Sequence, residues 1–345
     1  MPMIGRRMVT MGAVVALVIA ATAAIIAATG RPVSADQSGG AVATPRIIID
    51  SDLSLWWDDA TAIGMANVLQ QRGQVRILGI MSDIRNPVAV AAMDAIDTAY
   101  GHPKIPLGAV AHSEANTAAH GYSDDLVRRL PHAVRSSHDV PPAVTLYRRL
   151  LAAQTPHSVT IVSIGAYTNL AGLLNSKPDQ RSSLGGRALI RAKVKRLVIE
   201  DGLFPSGAPA VTNQKLDLAS ASVVVNGTDW PTPIAWVDGF TGFQTKVGGA
   251  LCTTVAANNP MRIVYESRFG CGPPGDGDWD GPTTLYAIGG KQGWFTELGQ
   301  GGAAYINTMG GLSWRNDPSR PHDLYVHIAD QGALDQRIDT LLGSK

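Results

Sequence analysis

Asp50-Ser51-Asp52-Leu53-Ser54-Leu55-Trp56-Trp57-Asp58-Asp59 joins an apolar run, Arg46-Ile47-Ile48-Ile49, to a helical pattern over residues 60–71. Four carboxylates within ten residues fall at a strand-to-helix turn. Folded together they repel, and their pKa values rise unless a cation neutralises them. Neither His nor Cys lies in the stretch, so its hard oxygens suit calcium or magnesium rather than zinc. Asp58 and Asp59 also suit a helix N-terminus, where carboxylates meet free amides and the helix dipole. That does not account for Asp50 and Asp52, and a metal-dependent enzyme site covers the whole set. Trp56 and Trp57 have two readings: packing aromatics in a loop, or the floor of a pocket for a planar or sugar ligand.

Outward from this turn, short apolar runs alternate with helical patterns. Strands are expected at residues 47–49, 75–80, 105–110, 159–165, 195–199 and 234–237, and helices at 60–71, 87–100, 142–154, 169–175 and 218–225. Near-continuous apolar strands interleaved with helices imply an α/β fold, with a mainly parallel, Rossmann-like central sheet flanked by helices. Ligands bind such sheets beyond the carboxyl ends of the strands. Asp50 and Asp52, residues 82–86, residues 165–169 and Glu200-Asp201 all follow expected strands and should converge on one rim. The last third is less regular. Residues 271–282 read as an acidic loop, followed by a short helix at 283–288, a strand at 322–328 and a helix at 333–342.

A chain of 345 residues can bury a large core. Its formal net charge is +1, and its Lys and Arg are not gathered into a run, so no nucleic-acid partner is expected. Arg6-Arg7 precede an apolar stretch over residues 8–28, and Val33-Ser34-Ala35 has the small-residue form of a signal-peptidase site. Residues 1–35 are therefore expected to be a signal peptide that contacts the membrane at least during export, making the protein secreted or periplasmic. An uncleaved membrane anchor over residues 8–28 is the alternative. Residues 36–44, small and polar, read as a linker. Cys252 and Cys271 are the two cysteines, and export together with an even count favours a disulfide between them over two free thiols.

The Ile-rich strand, Asp50-x-Asp52, the loop and Asp58-Asp59-Ala60 opening a helix resemble the inosine-uridine preferring nucleoside hydrolase family. The loop length is similar to that of a variant group reading Asp-Thr-Asp-x-Gly-x-Asp-x-Asp-Asp, with Trp56 where that group has an extra Asp. Leu78-Gly79-Ile80 leading to Asn86-Pro87 resembles the family's second strand and its Asn. Ser163-Ile-Gly165-Ala-Tyr-Thr168-Asn169-Leu170-Ala171 resembles its Gly-Pro-Leu-Thr-Asn-Leu-Ala turn. Asn213-Gln-Lys-Leu-Asp217 fits its Asn-x-x-x-Asp, and Trp279-Asp280-Gly-Pro282 its His-Asp-Pro segment. Taken singly, Asn86, Thr168, Asn169, Asn213 and Asp280 would be turn, loop or capping residues. Five segments in the family's order make the functional reading the better one. Residues 45–345 are accordingly expected to be one nucleoside hydrolase-like domain.

The resemblance implies calcium-dependent cleavage of the N-glycosidic bond of ribonucleosides, releasing base and ribose. Calcium would be held by Asp52, Asp59, Asp280 and the backbone carbonyl of Thr168, with Asp52 also the general base. Asp58, Asn86 and Asn213 would bind ribose hydroxyls, and Asp50 would brace the loop from behind. Two positions depart from the family. Val211 stands where many relatives carry a Glu that contacts the ribose 5′-hydroxyl. Trp279 stands where inosine-uridine enzymes carry a His implicated in protonating the leaving base; indole cannot supply that proton, though it can stack on a purine. The alternatives are a nucleoside- or sugar-binding protein on the same fold and, further off, a haloacid-dehalogenase-like phosphatase, which also begins with a strand and Asp-x-Asp. A homo-oligomer is compatible with everything above.

Overall fold

The computed structural model describes residues 43–112, 121–205, 207, 211–226 and 230–344. The expected signal segment 1–35 and nearly all of the linker lie outside the described residues. Thr44–Lys345 forms one compact unit. Among the described residues no helix is long and apolar enough to cross a membrane.

The strands are β1 (Arg46–Ser51), β2 (Arg76–Ser82), β3 (Leu107–Ala109), β4 (Val159–Ser163), β5 (Val194–Glu200), β6 (Ile234–Val237), β7 (Phe295–Leu298), β8 (Gly302–Ile306), β9 (Leu312–Asn316) and β10 (Leu324–Ile328). Eight of them form one sheet in the order β3-β2-β1-β4-β5-β6-β10-β7, parallel throughout except for β7, which runs antiparallel to β10 at the edge. β8 and β9 pair as a separate antiparallel hairpin.

Side chains alternate across β1, so Ile47 and Ile49 enter the core on one face of the sheet and Ile48 the core on the other. Each is fully buried, worth roughly 1.5–3 kcal/mol apiece. The helices, in chain order, are α1 (Asp58–Gln71), α2 (Ala89–Ala99), α3 (Tyr122–Arg129), α4 (Ala143–Ala152), α5 (Thr168–Leu174), α6 (Gly186–Lys193), α7 (Thr212–Leu216), α8 (Leu218–Val225), α9 (Gly239–Gln244), α10 (Leu251–Thr254), α11 (Pro260–Phe269), α12 (Asp280–Gly289) and α13 (Gln331–Leu342). Residues of α1, α2, α3, α11, α12 and α13 build the Ile47 core, while those of α4, α5, α6 and α8 build the Ile48 core.

The expected parallel sheet is the observed one. The sequence pattern missed α3, α6, α7, α9, α10, α11, the edge strand β7 and the β8–β9 hairpin, and began α12 three residues late, at 283 rather than Asp280. Register fixes the functional rim. Asp50 lies opposite Ser163 of β4, Ser51 opposite Ser82 of β2, and Glu200 opposite Val237 of β6. The chain reverses its direction of sheet growth between β1 and β4, the place where open α/β sheets leave a crevice for ligands.

Candidate active site

At the carboxyl ends of β1, β4 and β5 lies a cavity of about 350 Å³, walled in part by Asp52, Asp58, Asp59, Glu200 and Asp280. Asp52 leaves the end of β1. The loop that follows forces Ser54 to a φ of 99°, an uncommon conformation for a residue with a side chain. It is held there from α3: the Ser54 amide donates to the Tyr122 hydroxyl at 2.9 Å, and the Ser54 and Ser123 hydroxyls lie 2.6 Å apart. The Tyr122 hydroxyl in turn donates to the carbonyl of Trp56. The enlarged loop is thus fastened at both ends, and it delivers Asp58 and Asp59 to the first turn of α1.

Asp280 opens α12, which packs against α1, so two helix N-termini face the same carboxylates and their dipoles favour negative charge there. One ligand atom from each of Asp58, Asp59 and Asp280 can lie within 4.8 Å of the others. Ser51 donates to one oxygen of Asp59 at 2.5 Å. The other oxygen of Asp59, and Oδ2 of Asp52, are buried without a hydrogen-bond partner among the described residues.

Burial pushes Asp52 up to about 7, with the charge of Asp58 adding to it. Burial likewise lifts Asp58 to about 6, offset in part by the Trp279 amide. Asp59 and Asp280 are raised well above the carboxylate range by burial and then by the neighbouring aspartates. Buried, mutually repelling oxygens without partners are the environment that a hard divalent cation relieves, and the donor set fits one.

Asp50 follows the alternation of β1 toward α4 and α5. It is fully buried and accepts hydrogen bonds from the Tyr147 hydroxyl at 2.9 Å and from Asn169 at 2.8 Å. It lies behind the cavity wall and is not available as a phosphatase nucleophile. Gly165 is dictated by the same crowding: a Cβ there would lie 2.6 Å from the Asp52 amide nitrogen and 2.6 Å from a carboxylate oxygen of Asp83.

Two expected residues are not among those lining the cavity. Asn86 uses its Oδ1 to cap α2, accepting from the amides of Val88 at 2.9 Å and Ala89 at 3.2 Å, and it lines a separate hollow beside β3. The Thr168 hydroxyl donates to Asp217 at 2.7 Å, a bond that does not engage the backbone carbonyl expected to face the cation, and Ile164 is the residue of the turn after β4 that lines the cavity. For Asn86 the cause is helix-start chemistry, which the local backbone before α2 uses first.

Asn213 does line the cavity, and its side-chain amide donates to the Glu200 carboxylate at 2.8 Å and to the Glu200 carbonyl at 3.2 Å. Glu200 and the fully buried Asp83 were not singled out as site residues in the sequence. The available signal was a carboxylate next to an expected strand end. Burial raises both well above the usual range, Asp83 also through Asp50 and Asp52, and Glu200 also through Asp201 and Asp58.

The Trp pair divides. Trp57 is buried against Phe269, ring centroids 5.1 Å apart, with the Arg268 guanidinium 5.0 Å from its ring centroid; Trp56 is 43% exposed and stands at the cavity edge. Trp279 forms another edge. Its indole nitrogen donates to the Gly239 carbonyl at 3.0 Å, its amide to Asp58 at 3.2 Å, and its ring meets Phe243 edge-on at 5.3 Å. A Cβ at Gly242 would lie 1.9 Å from the indole, so only glycine lets that ring seat. Val211 lines the remaining wall. Cys252 and Cys271 are joined in a disulfide that ties α10 to the end of α11.

The sequence profile described as inosine-uridine preferring nucleoside hydrolase matches residues 47–237. Among solved structures, the inosine-uridine preferring nucleoside hydrolase from Bacillus anthracis superposes with a TM-score of 0.65 at 15% identity, over 87% of this chain and 99% of that one. A plant nucleoside hydrolase gives 0.65 at 17% identity, over 88% and 100%. The purine-preferring ribonucleoside hydrolase from Gardnerella vaginalis gives 0.63 at 15% identity, over 86% and 98%. A search of curated proteins by sequence gives no significant match. These likenesses establish the fold, and the profile spans more than half of the chain, including β1 with its Asp cluster and the β4 and β5 ends of the rim. The chain belongs to the inosine-uridine preferring nucleoside hydrolase family and is a hydrolase of N-glycosyl bonds.

Proposed function

We propose that this protein is an exported, calcium-dependent ribonucleoside hydrolase that attacks the anomeric carbon with water from the Asp52 side of the cavity. The observation that carries the reading is the convergence of Asp52, Asp58, Asp59 and Asp280 at the β1/β4 crevice, with buried carboxylate oxygens left unpartnered. Asp58, Asp59 and Asp280 would hold the cation with Asp52 beside them, and Ile164 lines the cavity from the β4 turn. When bound, the cation supplies positive charge that keeps these carboxylates ionised and makes a nearby water more acidic.

Asp52 takes the proton from the attacking water, acting as general base. The carboxylates around it stabilise the positive charge that develops on the ribosyl ring as the bond to the base breaks. Trp279, Phe243 and Trp56 present ring faces and edges at the cavity mouth, where a planar base can lie. They anchor the leaving group but offer it no strong acid, so bases that depart readily should be the better substrates.

Export is supported by Arg6-Arg7, the apolar run over residues 8–28 and the Val33-Ser34-Ala35 site, and the Cys252–Cys271 bond suits an oxidising compartment. The deciding measurement is reducing-sugar release from a purine and pyrimidine nucleoside panel, with and without a chelator. Release that is lost on chelation and restored by calcium is expected; release indifferent to chelation would remove the metal from the mechanism.

A further inference from the structure

His327 and Asp238 meet on the rim beyond β6, outside the carboxylate cluster and unused by the reaction above. Val326 of β10 lies opposite Val237 of β6, which makes neighbours of the next two residues, His327 and Asp238. His327 Nε2 is 2.6 Å from Asp238 Oδ2. The Asp238 side chain is fully buried, while that of His327 is 32% exposed. The same Oδ2 accepts a long bond from the Phe204 amide at 3.3 Å, and Oδ1 has no hydrogen-bond partner among the described residues. Burial raises the Asp238 carboxyl, and His327 does most to offset it. Without the imidazole, a buried carboxylate would keep one long bond, which costs more than the lost bond contributed. The backbone beside it would have to move.

That backbone carries one side of the cavity mouth. Asp238 directly precedes α9. Gly239, the first residue of α9, donates its amide to the Gly202 carbonyl at 2.8 Å, and its own carbonyl accepts the Trp279 indole at 3.0 Å. Three residues on, the Gly242 carbonyl accepts from the Asp278 amide at 3.1 Å, and Gly242 abuts the same indole. Leu203, next to Phe204, and Gly239 both line the cavity; His327 is not among the lining residues and is not placed to give a ligand its proton. We propose that His327 is a positioning residue: through Asp238 it fixes the start of α9 and the Leu203 turn, and so holds the Trp279 ring where the departing base binds. The proposal rests on the nucleoside reading of the site. The floor carboxylates are carried by the end of β1, by α1 and by α12, so loss of the pair reaches the base before it reaches the bond being broken.

The test is steady-state ribose release from a purine nucleoside, in calcium, by the full chain and its His327→Leu and His327→Gln variants, each with and without Trp279→Ala. Leucine fills the space and donates nothing, whereas the glutamine amide can still donate to Asp238. His327→Leu should raise KM about 5-fold with kcat held within about 2-fold, and His327→Gln should keep both within about 2-fold of wild type. Added to Trp279→Ala, His327→Leu should raise KM little further, because it acts through that ring. Equilibrium binding of the free purine should weaken with KM, and binding of free ribose should not. If thermal melts show that His327→Leu does not fold, His327→Ser, too short to reach Asp238, carries the same comparison. An unchanged KM, a fall in kcat with KM intact, equal losses for purine and ribose, full additivity with Trp279→Ala, or a glutamine variant as impaired as the leucine one would each overturn the proposal while leaving the nucleoside reading intact. A wild type that releases no ribose from any nucleoside would overturn both.

Discussion

The floor of the cavity and its mouth are built by opposite means. The floor carries Asp52, Asp58, Asp59 and Asp280 at the end of a central strand and at two helix N-termini, positions that the sheet register and the packing of α1 on α12 hold in place. The mouth carries Trp56, Phe243 and Trp279 on an enlarged loop, a short helix and the residue before α12, with Phe243 56% exposed. The floor carries the residue types that the family resemblance implies, while Trp56, Trp279 and Val211 depart from them. In the proposed reaction, chemistry that must place charge to within a fraction of an ångström would sit on regular structure, and recognition of the departing group where loops can vary.

The sharpest way to break this comparison is at the floor. Asp52→Asn should lower kcat for ribose release by about 10³-fold, the scale of a lost general base, with an unchanged far-UV spectrum. Retention of most of the activity would remove Asp52 from the proposed role. The floor should also betray itself through stability. Asp50, Asp52 and Asp201 are raised to about 7 and Asp58 to about 6, mainly by burial. A carboxyl whose folded pKa is raised binds more protons folded than unfolded, so its contribution is present in acid and lost as pH rises through the folded value. Chelated protein should therefore lose on the order of 5 °C or more in Tm between pH 5 and pH 8, and calcium should restore more of it at pH 8 than at pH 5. A calcium effect on Tm that is flat across that range would contradict a cation site built from these groups.

The same division explains what could be read in the sequence. The β1, β4, β5 and β6 strands announce themselves as apolar runs because both faces of the sheet are covered, and the carboxylates after them fall on the rim as a parallel sheet requires. Asp52 was legible as a rim position for that reason and Asp58 and Asp59 through the helix that follows it, whereas Asp280 and Asn213 stood out only through their resemblance to the family's segments. Asn86 does not line the cavity, because whether such a residue faces a ligand or caps a helix is settled by a local competition that spacing does not encode. Glu200 was visible as a rim position but had no partner in the chain's local pattern; its link is to Asn213, thirteen residues further along the chain. α11 escaped notice because Asn259-Pro260 reads equally as a turn, although Asn259 caps the helix and Pro260 occupies its first turn.

At the mouth the expected effects are smaller. Trp279→Ala should raise KM for purine nucleosides about 10-fold, the loss of one aromatic partner, with the larger part of the effect in KM rather than kcat. Trp279→His sharpens the comparison further by introducing an ionisable ring at that edge. It should raise kcat for poorly leaving bases relative to activated ones, and a uniform fall across all leaving groups would show that the mouth only binds.

The smallest effect belongs to the disulfide, which touches the mouth indirectly. Cys271 follows directly on the end of α11, where Phe269 packs edge-on against Trp57 and Arg268 spans Trp57 and Asp276. Closing the nineteen-residue separation between Cys252 and Cys271 should stabilise the fold by about 3 kcal/mol on the chain-entropy estimate. The double substitution Cys252→Ser with Cys271→Ser should therefore lower Tm. It should also loosen the Trp57 side of the loop, raising KM by about 2-fold to 3-fold while leaving kcat and calcium affinity at wild-type values. If kcat and calcium affinity fell as well, the mouth and the floor would be one mechanical unit. The Ser54 loop, fastened by Tyr122 and Ser123, would then be transmitting strain to Asp58 and Asp59 rather than insulating them from it.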